Sequence, residues 1–138
     1  MGRIHAPTGT NLIASREMAP VYARNLSAAV TTALKPVSAL AQLREGASPD
    51  EVIAAVAHLR ASQVEVDRWA DQLVGVAVLG GAAPTSVAAV LQMRPATLRA
   101  RLRSTWAAAR GKQLQRDPKR GDGWGLATAQ GPIQGDAA

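Results

Sequence analysis

The sequence contains no cysteine and no phenylalanine, and only one tyrosine and three tryptophans among its 138 residues. The absence of cysteine excludes a disulfide framework, a thiolate metal site and a cysteine nucleophile, and it fits a reducing cytoplasm. Hydrophobic residues nevertheless make up 47% of the chain, and most of them are alanine, valine and leucine. Because such side chains favour closely packed helices, we expect an all-α fold built as one domain.

The chain also has little that is typical of membrane proteins or enzymes. Its first residues lack the apolar core of a secretion signal. Residues 72–93 carry no charge, but their glycines, their proline and their small apolar side chains disfavour a membrane span. The two histidines, His5 and His58, have no carboxylate or thiol partner at metal-ligand spacing. We therefore expect no catalysis, no metal, no cofactor and no membrane contact.

Charge is distributed unevenly along the chain. Residues 94–120 contain nine lysines or arginines and one acid, whereas residues 45–71 contain six acids and two arginines. Such asymmetry predicts a basic face that meets a polyanion and an acidic face turned away from it. The alternative is a solvated basic helix in a basic protein.

A first long helix is predicted after a flexible arm at residues 1–15. Leucine and valine recur every three or four positions from about residue 17 or 21 to residue 44, which places them on one face. Pro36 lies inside this pattern, so we expect a kink or a break near Lys35.

A second long helix is predicted from a capping box at its start. The Ser48 side chain can accept from the backbone of Glu51, and the Glu51 side chain can accept from the backbone of Ser48. Apolar residues then recur at alternating intervals of four and three up to Ala77. One long helix or two helices in succession could run to Leu79, packed on the first helix in a coiled-coil manner. An ordinary amphipathic core helix is the alternative. We assign residues 16–65 to this helical hairpin, whose apolar stripes could join two copies as a homodimer.

Residues 66–110 are predicted to form a tri-helical helix-turn-helix. Two short apolar segments separated by about four residues follow the hairpin, and Ala88 is small enough for the helices to cross closely. On a wheel of 100° per residue, Leu98, Leu102 and Trp106 share the inner side of the second short helix. The opposite face has arginines set among alanines: Ala96, Arg99, Ala100, Arg103, Ala107 and Arg110.

The run VAAVLQMRPATLRARLRSTWAAAR resembles the helix-turn-helix of the fourth conserved region of bacterial sigma factors. It is also similar to small actinobacterial DNA-binding proteins in which a long helix precedes the motif. The matching residues are Ala88, Leu91, Thr97, Leu98, Arg101 and Leu102. The resemblance implies a DNA-binding unit with residues 96–110 as its recognition helix. Gln92 departs from the pattern, because glycine is usual at this turn position, which often needs a positive φ.

We therefore expect a sequence-specific DNA-binding protein, most simply a transcriptional regulator, that is cytoplasmic and associated with the nucleoid. Arg99 and Arg103 are the candidates for base contacts, while Arg94, Thr97 and Arg101 are candidates for phosphate contacts. Ala96 and Ala100 would let the helix backbone approach the double-stranded DNA closely. A plasmid or phage partition protein and a protein interaction module without specific DNA binding are the alternatives.

Residues 111–138 are rich in glycine and polar residues, and we expect a flexible tail that is basic at its start. Lys119 and Arg120 stand just before two glycines, Gly121 and Gly123, and could follow the minor groove or the DNA backbone. A tail with no specific role is the alternative interpretation.

Overall fold

The computed structural model describes residues 5–128, and most of them are helical. Two long helices, α1 (Gly9–Ala41) and α2 (Pro49–Leu79), form a hairpin and are followed by α3 (Pro84–Val90) and α4 (Pro95–Leu102). One turn of 3-10 helix (Trp106–Ala109) leads to a small sheet of β1 (Leu114–Arg116) and β2 (Trp124–Leu126). The prediction of a mainly helical fold is confirmed, and the antiparallel sheet is the part it missed. No helix in this range has a stretch long and apolar enough to cross a bilayer.

The capping box predicted at the start of α2 is present. Ser48 Oγ accepts from the Glu51 amide at 3.2 Å, and Glu51 Oε1 accepts from the Ser48 amide at 3.2 Å. Helix α2 runs to Leu79, as the apolar pattern indicated. Of the kink or break expected near Lys35, the break is absent: α1 continues through Pro36 despite the lost amide donor.

Residues 8–15 belong to the folded body, so the prediction of a flexible arm is wrong for them. Thr8 caps α1 in a second capping box, with Asn11 in the role usually taken by glutamate or glutamine. The Asn11 side chain is fully buried, and its amide also accepts from Gly111 N at 2.8 Å and donates to Lys112 O at 2.8 Å. A buried amide must be paired, so this side chain ties the start of α1 to a segment 100 positions later. Residues 1–4 of the predicted arm lie outside the described residues.

Residues 111–128 also fold, which corrects the prediction of a flexible tail. The two strands pair with Leu114 opposite Leu126 and Arg116 opposite Trp124. Leu114 and Trp124 are buried in the core that α1 and α2 form at the open end of their hairpin. Such short strands are stable because they pack on the helices. The remaining tail, residues 129–138, falls outside the described part of the chain.

Asp122, in the turn between β1 and β2, joins three segments of the chain. Its Oδ2 accepts from the Tyr22 hydroxyl at 2.7 Å and from Trp106 Nε1 at 2.9 Å. Its Oδ1 accepts from the Trp124 amide at 3.2 Å. Burial, together with the hydrogen bond to Asp122, raises the pKa of Tyr22 to about 12.

Within residues 5–128, only the open end of the hairpin is covered by other segments. Between Tyr22 and Gly75, Pro36 is the single buried residue. This outer half, which we call the projection (residues 23–68), exposes large apolar side chains that have no third layer to pack against. They are Val30, Leu34, Val37, Val52, Ile53, Val56 and Val64.

The close contact between α2 and the segment after α4 predicts a sensitive glycine. A Cβ at Gly75 would overlap the side chain of Thr105, which is fixed by a 2.7 Å hydrogen bond to Leu102 O. Gly75→Ala should therefore lower the free energy of unfolding by about 1–3 kcal/mol in urea denaturation. Gly9→Ala is the matched control, since nothing lies within 4 Å of a Cβ there. Equal stability of the two variants would contradict this packing.

Titration of the Tyr22 hydroxyl, which belongs to the single tyrosine of the chain, reports on its surroundings in the core. Tyrosinate absorbance of the native protein should rise with a midpoint near pH 12, against 10.0 for an ordinary tyrosine. Because the folded-state pKa is the higher one, the stability it contributes is complete below about pH 10 and is lost as the pH rises towards 12. Asp122→Asn should lower the midpoint, since it removes the charge that opposes ionisation. A native midpoint near pH 10 would contradict the buried contact between the Tyr22 hydroxyl and Asp122.

Candidate nucleic-acid interface

A tight turn joins α3 to α4. Gln92 has a φ of 57° and is the only non-glycine residue with a positive φ in residues 5–128. The Met93 amide donates to Ala88 O at 2.9 Å, which closes the turn over the end of α3. The expectation that this position needs a positive φ is confirmed, and glutamine adopts it at an energetic cost.

A small apolar cluster fixes α4 against its neighbours. Leu98 and Leu102 of α4 are 1% and 6% exposed, and they pack with Ala88 of α3 and Val78 of α2. The inward positions predicted for these residues are therefore confirmed. Leu91, one of the residues that match the sigma-factor pattern, is 41% exposed and is not part of this cluster.

Helix α4 is shorter than predicted, and residues 96–110 do not form one helix. Thr105 is extended, with φ −114° and ψ 176°. Its Oγ1 donates to Leu102 O at 2.7 Å and accepts from the Ala107 amide at 3.2 Å, so the same side chain ends α4 and begins the 3-10 helix. Trp106 consequently leaves the inner side of α4 and packs against the core of the hairpin.

The outward side of α4 combines small side chains with arginines. Ala96, Thr97 and Ala100 are exposed along its centre. Arg99 and Arg103 lie on one edge, where they line a surface pocket of about 430 Å³ with Leu98 and Leu102 at its floor. We call this surface the α4 face, and its members are Arg94, Ala96, Thr97, Arg99, Ala100 and Arg103.

The cations of the α4 face are available to an outside anion. Arg94, the N-cap residue of α4, is exposed, as are Arg99 and Arg103. Within residues 5–128 none of these three forms an ion pair with a carboxylate. Arginines held apart from acids on a small-residue surface can approach a phosphate or a base edge without first breaking an internal pair.

Arg101 occupies the opposite edge of α4 and differs from the other arginines. Its guanidinium lies 3.8 Å from a carboxylate oxygen of Asp71 on α2. Burial raises the pKa of the Asp71 carboxyl above its usual value, and the nearby Arg101 acts in the opposite direction. Arg101 is thus partly neutralised on the side that faces α2.

Lys119 and Arg120 are not brought together with the α4 face. They lie in the turn between β1 and β2, and the sheet packs against α1, whereas α4 contacts α2, α3 and the 3-10 helix. The Arg120 guanidinium lies 5.3 Å from the centre of the Trp106 ring, close enough for a cation–π contact, and its Nε donates to Asp122 Oδ1 at 3.4 Å. The sequence placed both residues in a flexible tail, but they belong to an ordered turn.

Two residues of this region, Arg110 and His5, have contacts that the sequence did not predict. Arg110, assigned to the outer helix face, instead donates to backbone carbonyls of His5 at 2.8 Å, Val78 at 3.2 Å and Ala82 at 2.8 Å. It therefore holds the chain entering α1 beside the end of α2. His5 lies on the rim of the Arg99 and Arg103 pocket as a result. No local pattern signals these contacts, because they join residues far apart in the sequence.

Comparison of the chain with protein-family models, with curated proteins and with solved structures gives no match. The fold and the α4 face are therefore interpreted from their own geometry.

The strained turn before α4 yields a stability prediction. Gln92→Gly should raise the free energy of unfolding by about 1 kcal/mol, because glycine adopts a positive φ without steric cost. Gln63→Gly in the middle of α2 is the control and should lower it by about 1 kcal/mol. Urea denaturation measures both, and a loss of equal size in the two variants would contradict strain at Gln92.

Proposed function

We propose that this protein binds double-stranded DNA in a sequence-specific manner, with α3 and α4 acting as a helix-turn-helix. The observation that carries the proposal is the α4 face. It has small residues at its centre, arginines that form no ion pair within residues 5–128, and two buried leucines behind it. A recognition helix needs this combination, because its backbone must approach the floor of the major groove while its long side chains reach base edges.

Each residue of the α4 face has a role in the proposal. Arg99 and Arg103 are one turn apart on the same edge, so both can reach guanine O6 and N7. Ala96 and Ala100 leave room for the base pairs between them. Arg94 and Thr97 at the start of α4 bind phosphates, and so does Arg101 once its contact with Asp71 gives way.

The distribution of charge supports the same orientation. The basic residues 94–120 lie at the covered end of the hairpin, whereas most acids of residues 45–71 lie on the projection. A polyanion therefore approaches the end that carries α4 rather than the projection, whose five cations and five acids cancel. A protein of this kind is expected on the nucleoid, where it acts as a transcriptional regulator.

A helix of eight residues reads only a short stretch of sequence. We therefore propose a homodimer that presents two copies of α4 to two half-sites about one turn of DNA apart. The hairpin is the part of the chain that would join the two copies.

The double variant Arg99→Ala with Arg103→Ala tests the proposed readout. Each base-contacting arginine contributes about 1–3 kcal/mol of discrimination, so the Kd for a duplex selected from random DNA should rise by at least about 25-fold in the double variant. Fluorescence anisotropy measures this on the selected duplex and on a scrambled one, over a series of salt concentrations. The preference for the selected duplex should be lost, and urea denaturation should show unchanged stability.

Arg24→Ala with Lys35→Ala is the matched control, because it removes the same net charge from exposed positions on the projection. It should retain the preference for the selected duplex. The proposal fails if wild type shows no preference for any duplex, or if the control loses as much discrimination as the Arg99 and Arg103 variant. The first outcome would favour an interaction module whose basic end is only a solvated surface.

A further inference from the structure

The projection has an apolar surface on one side. Val30, Leu34 and Val37 of α1 and Val52 and Val56 of α2 are between 40% and 57% exposed. We call these five residues the apolar flank. Side chains of this type are usually shielded in a folded protein, and a contiguous group of them marks an interaction site.

The periodicity of the two helices places the apolar flank on a single side. The half-buried Ala29 and Ala33 of α1 face α2, and the half-buried Ala55 and Leu59 of α2 face α1. Val30 and Leu34 follow the first pair by one position, and Val56 follows Ala55 by one, so each is turned about 100° from the line of contact. Because the helices are antiparallel, a rotation of about 100° towards the C-terminus of each helix leads to the same side of the hairpin.

The opposite side of the projection has polar and small side chains in place of large apolar ones. Thr32, His58 and Glu65 each precede a half-buried residue by one position. They line a shallow groove together with Ala29, Ala33, Ala61 and Ser62. The two sides of one helix pair thus differ in chemistry. An isolated hairpin has no reason to segregate its residues in this way, whereas one covered on a single side does.

We infer that the apolar flank binds the apolar flank of a second copy of this chain, so that two projections form a four-helix bundle. The choice of a second copy as the partner rests on the proposed function, because binding two DNA half-sites requires two copies of α4. The available area is sufficient: two helices about 30 Å long and 10 Å wide present roughly 600 Å² per copy. Their pairing buries about 1,200 Å² in total, which reaches the range of stable interfaces.

Charge decides how the two copies are arranged. The α1 part of the projection has cations and no acid, while the α2 part has four acids, Asp50, Glu51, Glu65 and Asp67, against two arginines. Stacking α1 of one copy on α2 of the other sets opposite net charges side by side, whereas stacking α1 on α1 opposes cations. A two-fold axis along the hairpin gives the favourable arrangement. It also places both closed tips together and both copies of α4 at the same end, where one duplex can contact them.

Sedimentation of the full chain without DNA tests the interface. Wild type should be a dimer at micromolar concentration, and Leu34→Glu should raise the dimer dissociation constant by about 100-fold or more, because symmetry places two carboxylates in the apolar interface. Ala28→Glu is the matched control. Ala28 is exposed and precedes the half-buried Ala29 by one position, which places it on the side opposite the apolar flank. This variant should remain a dimer.

Three outcomes would overturn the inference: a monomeric wild type, a dimer that Leu34→Glu leaves intact, or equal dissociation by both variants. Circular dichroism of each variant verifies that it has folded, and Val37→Glu replaces Leu34→Glu if that variant has not.

DNA binding is measured separately. A dimer that binds no DNA preserves the interface and contradicts the proposed function, while a monomer that binds specific DNA does the reverse.

The absence of cysteine makes the arrangement directly measurable. Glu45→Cys places a unique spin label at the closed tip of the hairpin, in the loop between α1 and α2. Electron–electron distance measurements on the dimer should give a short separation between labels, comparable to the width of a four-helix bundle. A separation near twice the length of the projection, about 60 Å, would show the opposite arrangement and overturn the proposed two-fold axis.

Discussion

Two packed helices can bury only the side chains along the line where they meet. The rest of this structure depends on what covers the remaining apolar side chains at each end of the hairpin. At the open end the chain returns after α4 and supplies a third layer, with Leu114 and Trp124 closing over Met18. At the closed end no third layer is present in residues 5–128, and Pro36 is the one buried residue there. One end is therefore complete within the chain, and the other is suited to a partner.

The position of α4 depends on the completed end. Eight residues are too few to form a stable helix alone, so its geometry comes from Leu98 and Leu102 in the cluster with α2, and from Thr105, which ends the helix against Gly75. Asn11 fixes the returning chain at residues 111 and 112. The arginines of the α4 face are thus held by contacts that reach back to the first turn of α1, and the short helix presents them in a defined register.

Local sequence signals predicted those features whose pattern lies within one or two turns of the chain. The capping box at Ser48, the apolar spacing of Leu98 and Leu102 and the special backbone of Gln92 depend on residues within one or two turns, and each is present. The end of α4 could not be predicted, because residues 103–110 have good helix formers and the extended conformation of Thr105 is stabilised by packing on α2. The sheet was missed for a similar reason: strands of three residues show no alternation, and Trp124 reveals its burial only through contacts with α1.

The central claim is that α4 reads the major groove, and methylation protection of guanine N7 tests it most directly, since that atom is exposed only in this groove. The account predicts that the protein, bound to a duplex selected from random DNA, protects two groups of guanines on one side of the helix, separated by a whole number of turns. Arg99 and Arg103 are expected to account for that protection. Binding that leaves every guanine N7 reactive would contradict the account and would assign the basic end of the molecule to the phosphate backbone alone.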